Sequence, residues 1–516
     1  MKRVIVCSIA LAACACGAPQ KPEDAAARAA PAASNTAAPQ PAVAADDYAQ
    51  PPPPGLAPDA PFPTIAHHEL NSGLRLRVVE RHTLPIVQLV LVIQSGQASD
   101  GAKAGLAAVA GQLLKAGGAG SWSALKLLEH AEDLGAQLSI TTDRDATRIA
   151  IAVMKTDLDA ALELLSALVR RPRFDRGEFV KLRQREIERV ASATRTNGTF
   201  LAKMVLYREL YELPSALHPY ARYDATVAEL KNLGLEDCRA WHATHVTPKN
   251  SFLVVTGDVA PEQVRAAAQR AFDGWSGERP QGPSLDLPHP PNRTSVYVVD
   301  WPGSTQSQVY VATFGPELTS SAFSGIKVLN QVLGGGVSGR LFLDVREQRS
   351  LAYATSSSVD ELLHGPLPIV LGAGTQTPKT AQATAALLEH LERLGKAPPS
   401  ERELTNAGRY LADTLTISAS TVGAIAGMTA RLGVFELPDG WYDDYRRDVG
   451  SIEPAQAGKL GNRYLTAERA IIAVAGDAVR IAEPLRRFGP VSVVDPARGF
   501  STARTLTHDP SVPIAP

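Results

Sequence analysis

Beyond residue 64 the chain alternates short apolar runs with amphipathic stretches. Residues 74–79 (LRLRVV) alternate apolar and polar with period two, and residues 86–93 (IVQLVLVI) are almost wholly apolar. Both predict strands, the second largely buried. At 124–135, Leu125, Leu128, Ala131 and Leu134 recur at three-residue intervals and Gly135 supplies a stop, which predicts an amphipathic helix. Strands are expected at 138–142 and 147–153, followed by helices at 157–170 and 175–193 separated by Pro172.

Two distant segments look alike. Residues 251–259 (SFLVVTGDV) and 470–478 (AIIAVAGDA) are apolar strands ending in Gly-Asp, each preceded by a helical stretch, and they lie about 220 residues apart. Such spacing suggests a duplicated domain, with the proline-rich stretch 283–291 as the joint. In the second half, strands at 296–299 and 308–314 and a helix at 323–333 mirror the early elements. Strands and helices interleaved outside a βαβ order indicate an α+β fold and argue against a doubly wound parallel sheet.

The length of 516 residues calls for more than one core. A net charge of −1 with no local Lys/Arg cluster excludes a nucleic-acid partner. Met1-Lys2-Arg3 and the apolar run 4–13 have the layout of a secretory signal, too short to span a bilayer. The run ends in Leu11-Ala12-Ala13-Cys14, which resembles the bacterial lipobox and implies cleavage before Cys14 and acylation of its sulfur; the plainer alternative is an ordinary signal peptide cleaved nearby. Each buried methylene of such an anchor contributes about 0.8 kcal/mol. Residues 15–63 are rich in Ala and Pro and poor in large apolar side chains, so they read as a flexible tether. The four cysteines, at 7, 14, 16 and 238, form no disulfide framework or metal motif. The expected organisation is therefore a signal at 1–13, a lipidated tether at 14–63, halves at 64–282 and 292–492 joined by 283–291, and a tail at 493–516.

The stretch 334–353 (GGGVSGRLFLDVREQRSLAY) combines a glycine turn, an amphipathic helix over 338–348 and the pair Arg346/Tyr353. Gly334, Gly335 and Gly336 are expected to end one helix and to use positive φ in turning into the next. Guanidinium and phenol are both hydrogen-bond donors, suited to a peptide carbonyl or the negative charge that develops on it. The plain structural alternative pairs Arg346 with Glu347 or Asp344 and leaves the Tyr353 hydroxyl in water, and Arg340 and Arg349 are expected in surface ion pairs.

The order of these pieces resembles the pitrilysin/insulinase family of zinc peptidases, in the branch of the mitochondrial processing peptidase and its paired bacterial relatives. Four places carry the resemblance: Asn71-Ser72-Gly73-Leu74, Gly105-Leu106-Ala107, the region from His218-Pro219-Tyr220 to Pro248-Lys249-Asn250, and the 334–353 block. It implies two homologous halves, each a mainly antiparallel sheet covered by helices, forming one side of a clamshell. It also implies a His-x-x-Glu-His motif in which the His pair binds zinc and the Glu is general base. Here those positions hold Ala108, Gly111 and Gln112, and the third ligand position lands near Arg189, with Glu186 and Glu188 close by. His242 and His245, one helical turn apart, form the only other pair able to share a metal. His67 and His68 precede a strand and point to opposite faces.

The resemblance implies that Arg346 and Tyr353 contact substrate and that Gly334, Gly335 and Gly336 admit its backbone. The leading expectation is a non-catalytic subunit with no cofactor of its own. It pairs with a zinc-bearing paralogous subunit and lends Arg346 and Tyr353 to a peptidase site acting on extended peptides. A lipid anchor would place it in the bacterial cell envelope facing the periplasm, with the outer membrane favoured because Ala15 follows Cys14 where an inner-membrane Asp would stand. Two rival expectations are a scaffold of the same fold with no peptidase role and a self-sufficient peptidase using His242 and His245.

Overall fold

Two wholly buried strands, each ending in Gly-Asp, organise the architecture. The computed structural model describes residues 60–212, 218–282, 285, 286, 288 and 291–514. The signal segment, Cys14, nearly all of the tether and most of the 283–291 joint lie outside the described residues.

Residues 66–257 form a six-stranded sheet of β1 (Ala66–Glu69), β2 (Arg75–Glu80), β3 (Ile86–Ile93), β4 (Ser139–Thr142), β5 (Thr147–Met154) and β6 (Ser251–Gly257), in the order β1-β2-β6-β3-β5-β4. Residues 295–506 form a seven-stranded sheet of β7 (Ser295–Asp300), β8 (Gln306–Phe314), β9 (Ala352–Val359), β10 (Pro368–Gln376), β11 (Ile471–Gly476), β12 (Val491–Asp495) and β13 (Ser501–Leu506), in the order β13-β12-β7-β11-β8-β10-β9. The run β2-β6-β3-β5-β4 repeats as β7-β11-β8-β10-β9, with the first pair parallel and the rest antiparallel in both. The fold is α+β, two homologous halves of mainly antiparallel sheet covered by helices. The stretch read as a tail differs: residues 501–506 pair antiparallel with β12 and form the edge of the second sheet.

The Gly-Asp ends have a packing cause. At φ +143°, a Cβ on Gly257 would lie 2.1 Å from the Ile86 carbonyl oxygen, so only glycine fits. Asp258 then receives His82 at 2.8 Å and Lys155 at 2.6 Å. In the second half a Cβ on Gly476 would sit 2.6 Å from Ser307 Oγ, and Asp477 caps the helix Ala478–Leu485.

The halves are not packed as the sequence divides them. The helix Gly198–Leu210, within the first half, lies on β11, β8 and β7 of the second sheet. The helix Val422–Val434, within the second, lies on β3 and β6 of the first. Leu201, Ala202, Val205 and Leu206 accordingly belong to the second half's core, and Ala426, Ala430 and Val434 pack with Val90, Val92, Phe252 and Val254. Each exchanged helix carries a glycine at its closest approach. A Cβ on Gly198 would meet the Trp301 ring at 2.8 Å, and one on Gly433 would meet the Phe252 ring at 2.4 Å.

Replacing Gly433 by Ala should therefore lower stability by about 1–3 kcal/mol, the usual cost of forcing volume into a filled core. A urea titration reads this as a lower midpoint at unchanged slope; an unshifted midpoint would show that the helix rides free of β6.

Candidate functional site

The helix Phe323–Gly334 ends in the glycine run, but none of Gly334, Gly335 and Gly336 has positive φ. The expected reason for glycine is thus corrected to one of space. A Cβ on Gly334 would lie 2.9 Å from the Ser357 Cβ and 3.1 Å from its backbone nitrogen, and one on Gly335 would lie 2.2 Å from Gln331 Oε1. Gly334 lets the helix end press against β9, and a Cβ on Gly339 would lie 3.0 Å from the Gly334 Cα. Gly336 has no such neighbour and is exposed.

The following segment is wound as a π-helix over Leu341–Gln348, where an α-helix was expected. Backbone N–H of Arg349 reaches the Asp344 carbonyl five residues back. Buried Leu341 and Val345 hold the segment to the core and leave Arg346 at the rim. The carboxylate of Asp344 accepts from Arg349 at 2.6 and 3.1 Å and lies 2.6 Å from buried His390, while Arg349 also bonds Glu389 at 2.8 Å. Partial burial would raise the Asp344 carboxyl, but the hydrogen bonds from Arg349 and His390 outweigh it and hold it below the usual range. Arg340 grips Glu403 in a fork at 2.7 and 3.0 Å, which pulls the Glu403 carboxyl down to about 2.

Tyr353 stands where β9 slips against β10. Ala354 pairs with Gly374 and Ala352 with Thr375, so Tyr353 is the extra residue of a bulge. The bulge aims the ring outward and leaves it 84% exposed on an edge strand. The Arg346 guanidinium carbon lies 5.3 Å from the Tyr353 ring centroid and 4.6 Å from that of Phe342. Its contact with Glu347 is 3.4 Å and solvent-exposed, of little energetic consequence. The two donors open on a cleft of about 550 Å³, lined also by Gln306, Gln308, Thr375 and Lys379. Gly334, Gly335 and Gly336 are not among the residues bounding it. The lining from β8 and from Lys379 escaped the sequence reading because it converges only across paired strands.

The positions of the metal motif are filled differently. Ala108, Gly111 and Gln112 lie on the helix Leu106–Ala116. A Cβ on Gly111 would press on Thr142 Oγ1 at 3.0 Å and Thr147 Cγ2 at 3.2 Å, so these threonines occupy the room a larger side chain needs. Gln112 donates its amide to the Ile140 carbonyl at 2.6 Å, and Lys115 donates to that of Leu138 at 2.7 Å. Arg189 is ion-paired with Glu186 and Asp224. His242 bonds the Val169 carbonyl at 2.8 Å while His245 reaches Ser95 at 3.0 Å, so the pair serves two different contacts and holds no common ligand position. Burial lowers the pKa of both rings. Among the described residues no group of three or more His, Cys, Asp or Glu could hold a metal ion.

The family profile for insulinase (peptidase family M16) matches residues 77–212, and the one described as "Peptidase M16 inactive domain" matches 232–411, together more than half of the chain. The chain belongs to the M16 peptidase family. It is 24% identical over 386 residues to the non-peptidase homolog YmxG of Helicobacter pylori, covering 72% of this chain and 85% of that one. It is 22% identical to the uncharacterized zinc protease YmxG of Bacillus subtilis, covering 69% and 84%. Its fold matches that of a peptidase M16 inactive domain from Pseudomonas fluorescens with a TM-score of 0.74 at 22% identity, covering 80% of this chain and 98% of that one. A chain of Complex III2 from Candida albicans matches with a TM-score of 0.67 at 16% identity, covering 82% and 99%.

The M16 motif cannot be regenerated by restoring its letters. The triple substitution Ala108→His, Gly111→Glu and Gln112→His should leave the purified protein without stoichiometric zinc by elemental analysis. Gly111→Glu drives a side chain into Thr142 and Thr147, and Arg189 brings a cation where a carboxylate ligand is required. One zinc per chain in that variant would contradict this account.

Proposed function

We propose that this M16 chain is the non-catalytic, substrate-binding subunit of a two-chain zinc metallopeptidase acting on extended peptides in the bacterial envelope. The observation that carries the reading is a contrast. The Arg346/Tyr353 pair is held at a cleft by a π-helix, a bulge and an ion-pair network, while the Ala108, Gly111 and Gln112 positions offer no ligand and no base.

In this reading zinc on a paralogous partner supplies the activated water. The part of this chain is to bind and orient. Tyr353 offers its hydroxyl proton and Arg346 its guanidinium protons to a peptide carbonyl oxygen, with increasing strength as negative charge gathers there. Contact with the Tyr353 and Phe342 rings fixes the guanidinium plane, which reduces the side-chain entropy lost on binding. Cys14 with its acyl chains would keep the subunit at the membrane, facing the periplasm, with the outer membrane favoured.

The purified chain alone should cleave no peptide, and adding the zinc-bearing partner should produce activity. In that pair Arg346→Ala or Tyr353→Phe should each lower kcat/KM by about 10²-fold with assembly intact by gel filtration. Undiminished activity in both variants would overturn the mechanism. A second reading, an assembly protein of the same fold, draws on the likeness to a Complex III2 chain, and it predicts a stable complex with no peptidase activity at all.

The anchor is tested separately. Cys14→Ala should abolish incorporation of labelled palmitate in growing bacteria and release the chain from the membrane fraction. Persistent labelling would move the acylation site elsewhere.

A further inference from the structure

A second cleft, bounded by none of the residues that line the Arg346/Tyr353 cleft, lies where parts of both halves meet. Gln94 and Ser95 follow β3, Arg144 and Asp145 form the turn between β4 and β5, Arg279 and Gln281 precede the joint, and Leu363 and His364 come from the β9–β10 connection. Together they bound a cavity of about 440 Å³, within the range of small-molecule sites. It shares Ser99, His245 and Gln281 with an adjoining cavity of about 320 Å³ that adds Arg222.

The walls are unbalanced in hydrogen-bonding character. Gln94 Oε1 is taken by Arg75, and its Nε2 is closed off from the cavity. Arg222, in the adjoining cavity, donates an Nη1 bond to the Gly101 carbonyl and lies near the buried Asp100 carboxylate, so it is not a free cation. The Arg144 guanidinium carbon lies 4.1 Å from the Tyr207 ring centroid and makes no ion pair among the described residues. Among the described residues Arg279 has only an exposed ion pair, with Glu436 at 3.3 Å.

The acceptors, by contrast, are already used. Asp145, the only carboxylate bounding the cavity among the described residues, receives Tyr220 O–H on Oδ1 and Leu363 N–H on Oδ2. Burial raises its pKa, which weakens any charge it would set against an anion. Beyond Arg144, Asp143 is paired with Arg148, Asp360 receives Tyr207, and Glu361 is held by Lys327 and Arg431.

We propose that this junction cavity binds a small oxyanion ligand, a carboxylate- or phosphate-bearing molecule, gripped by Arg144 and Arg279. Arginine's planar fork suits carboxylate and phosphate oxygens equally, so both chemistries are named. Because the walls come from both halves, the bound molecule ties them together, and occupancy should stabilise the whole chain.

The test titrates the full chain with citrate and with inorganic phosphate at constant ionic strength, using chloride as control, by calorimetry and thermal melting. Saturable one-to-one binding of either anion, with a rise in Tm that chloride does not reproduce, is expected. Citrate alone would identify a carboxylate site, phosphate alone a phosphate site, and both an oxyanion site, each supporting the proposal. Arg144→Gln and Arg279→Gln should weaken binding at least ten-fold, whereas Arg346→Ala should leave it unchanged. Arg144→Lys keeps the charge and the fold and should bind better than Arg144→Gln. Absence of saturable binding, or equal affinity in arginine variants whose circular dichroism matches the parent, would overturn it.

Discussion

The reciprocal exchange of helices between the two sheets is the constraint on which the rest of the molecule rests. Gly198–Leu210 fills one face of the second sheet, and Val422–Val434 fills one face of the first. Neither sheet could exclude water there by itself, and an uncovered apolar sheet face is not a stable state in water. The cores of the halves are therefore completed in trans along the chain, and their mutual orientation is fixed by packed volume, with the two glycines setting how close the helices come. Polar contacts reinforce the same junction: Asp145 bonds Tyr220 on one side and the backbone of Leu363 on the other.

That rigidity is what makes an edge usable. β9 stands at the border of the second sheet, and its border position permits a bulge that an interior strand would resist. The same border receives the wide turns of the π-helix, whose buried Leu341 and Val345 leave Arg346 beside the outward ring of Tyr353. Asp344, Arg349 and His390 tie the π-helix to the helix Thr380–Lys396, so the pair is presented by a braced surface. Donors held in place before substrate arrives lose little freedom on binding.

Much of the fold was legible because its strands and helices declare themselves by period. IVQLVLVI and SFLVVTG became β3 and β6 within a residue or two, and the repeated Gly-Asp endings marked the duplication. The Arg346/Tyr353 spacing was legible as well, through a resemblance to the M16 family, although the bulge and π-helix behind it were not. Both depend on the register of neighbouring chain segments, which local pattern does not encode. The exchange of helices was invisible for a related reason: an amphipathic helix states that it has an apolar face, not which sheet will cover it. Local pattern is equally silent on His390, which bonds Asp344 through a contact 46 positions away.

The amide of Gln112 gives the lost metal motif an unexpected successor. With Lys115 it satisfies the carbonyls of Ile140 in β4, the border strand of the first sheet, and of Leu138 just before it. Side chains that occupy such carbonyls turn a sticky margin into one that will not template further strands. The two halves are thus unlike at equivalent borders: one is sealed from the helix Leu106–Ala116, the other displays Tyr353. A histidine at residue 112 would lack the amide that reaches the Ile140 carbonyl and would unseal that margin.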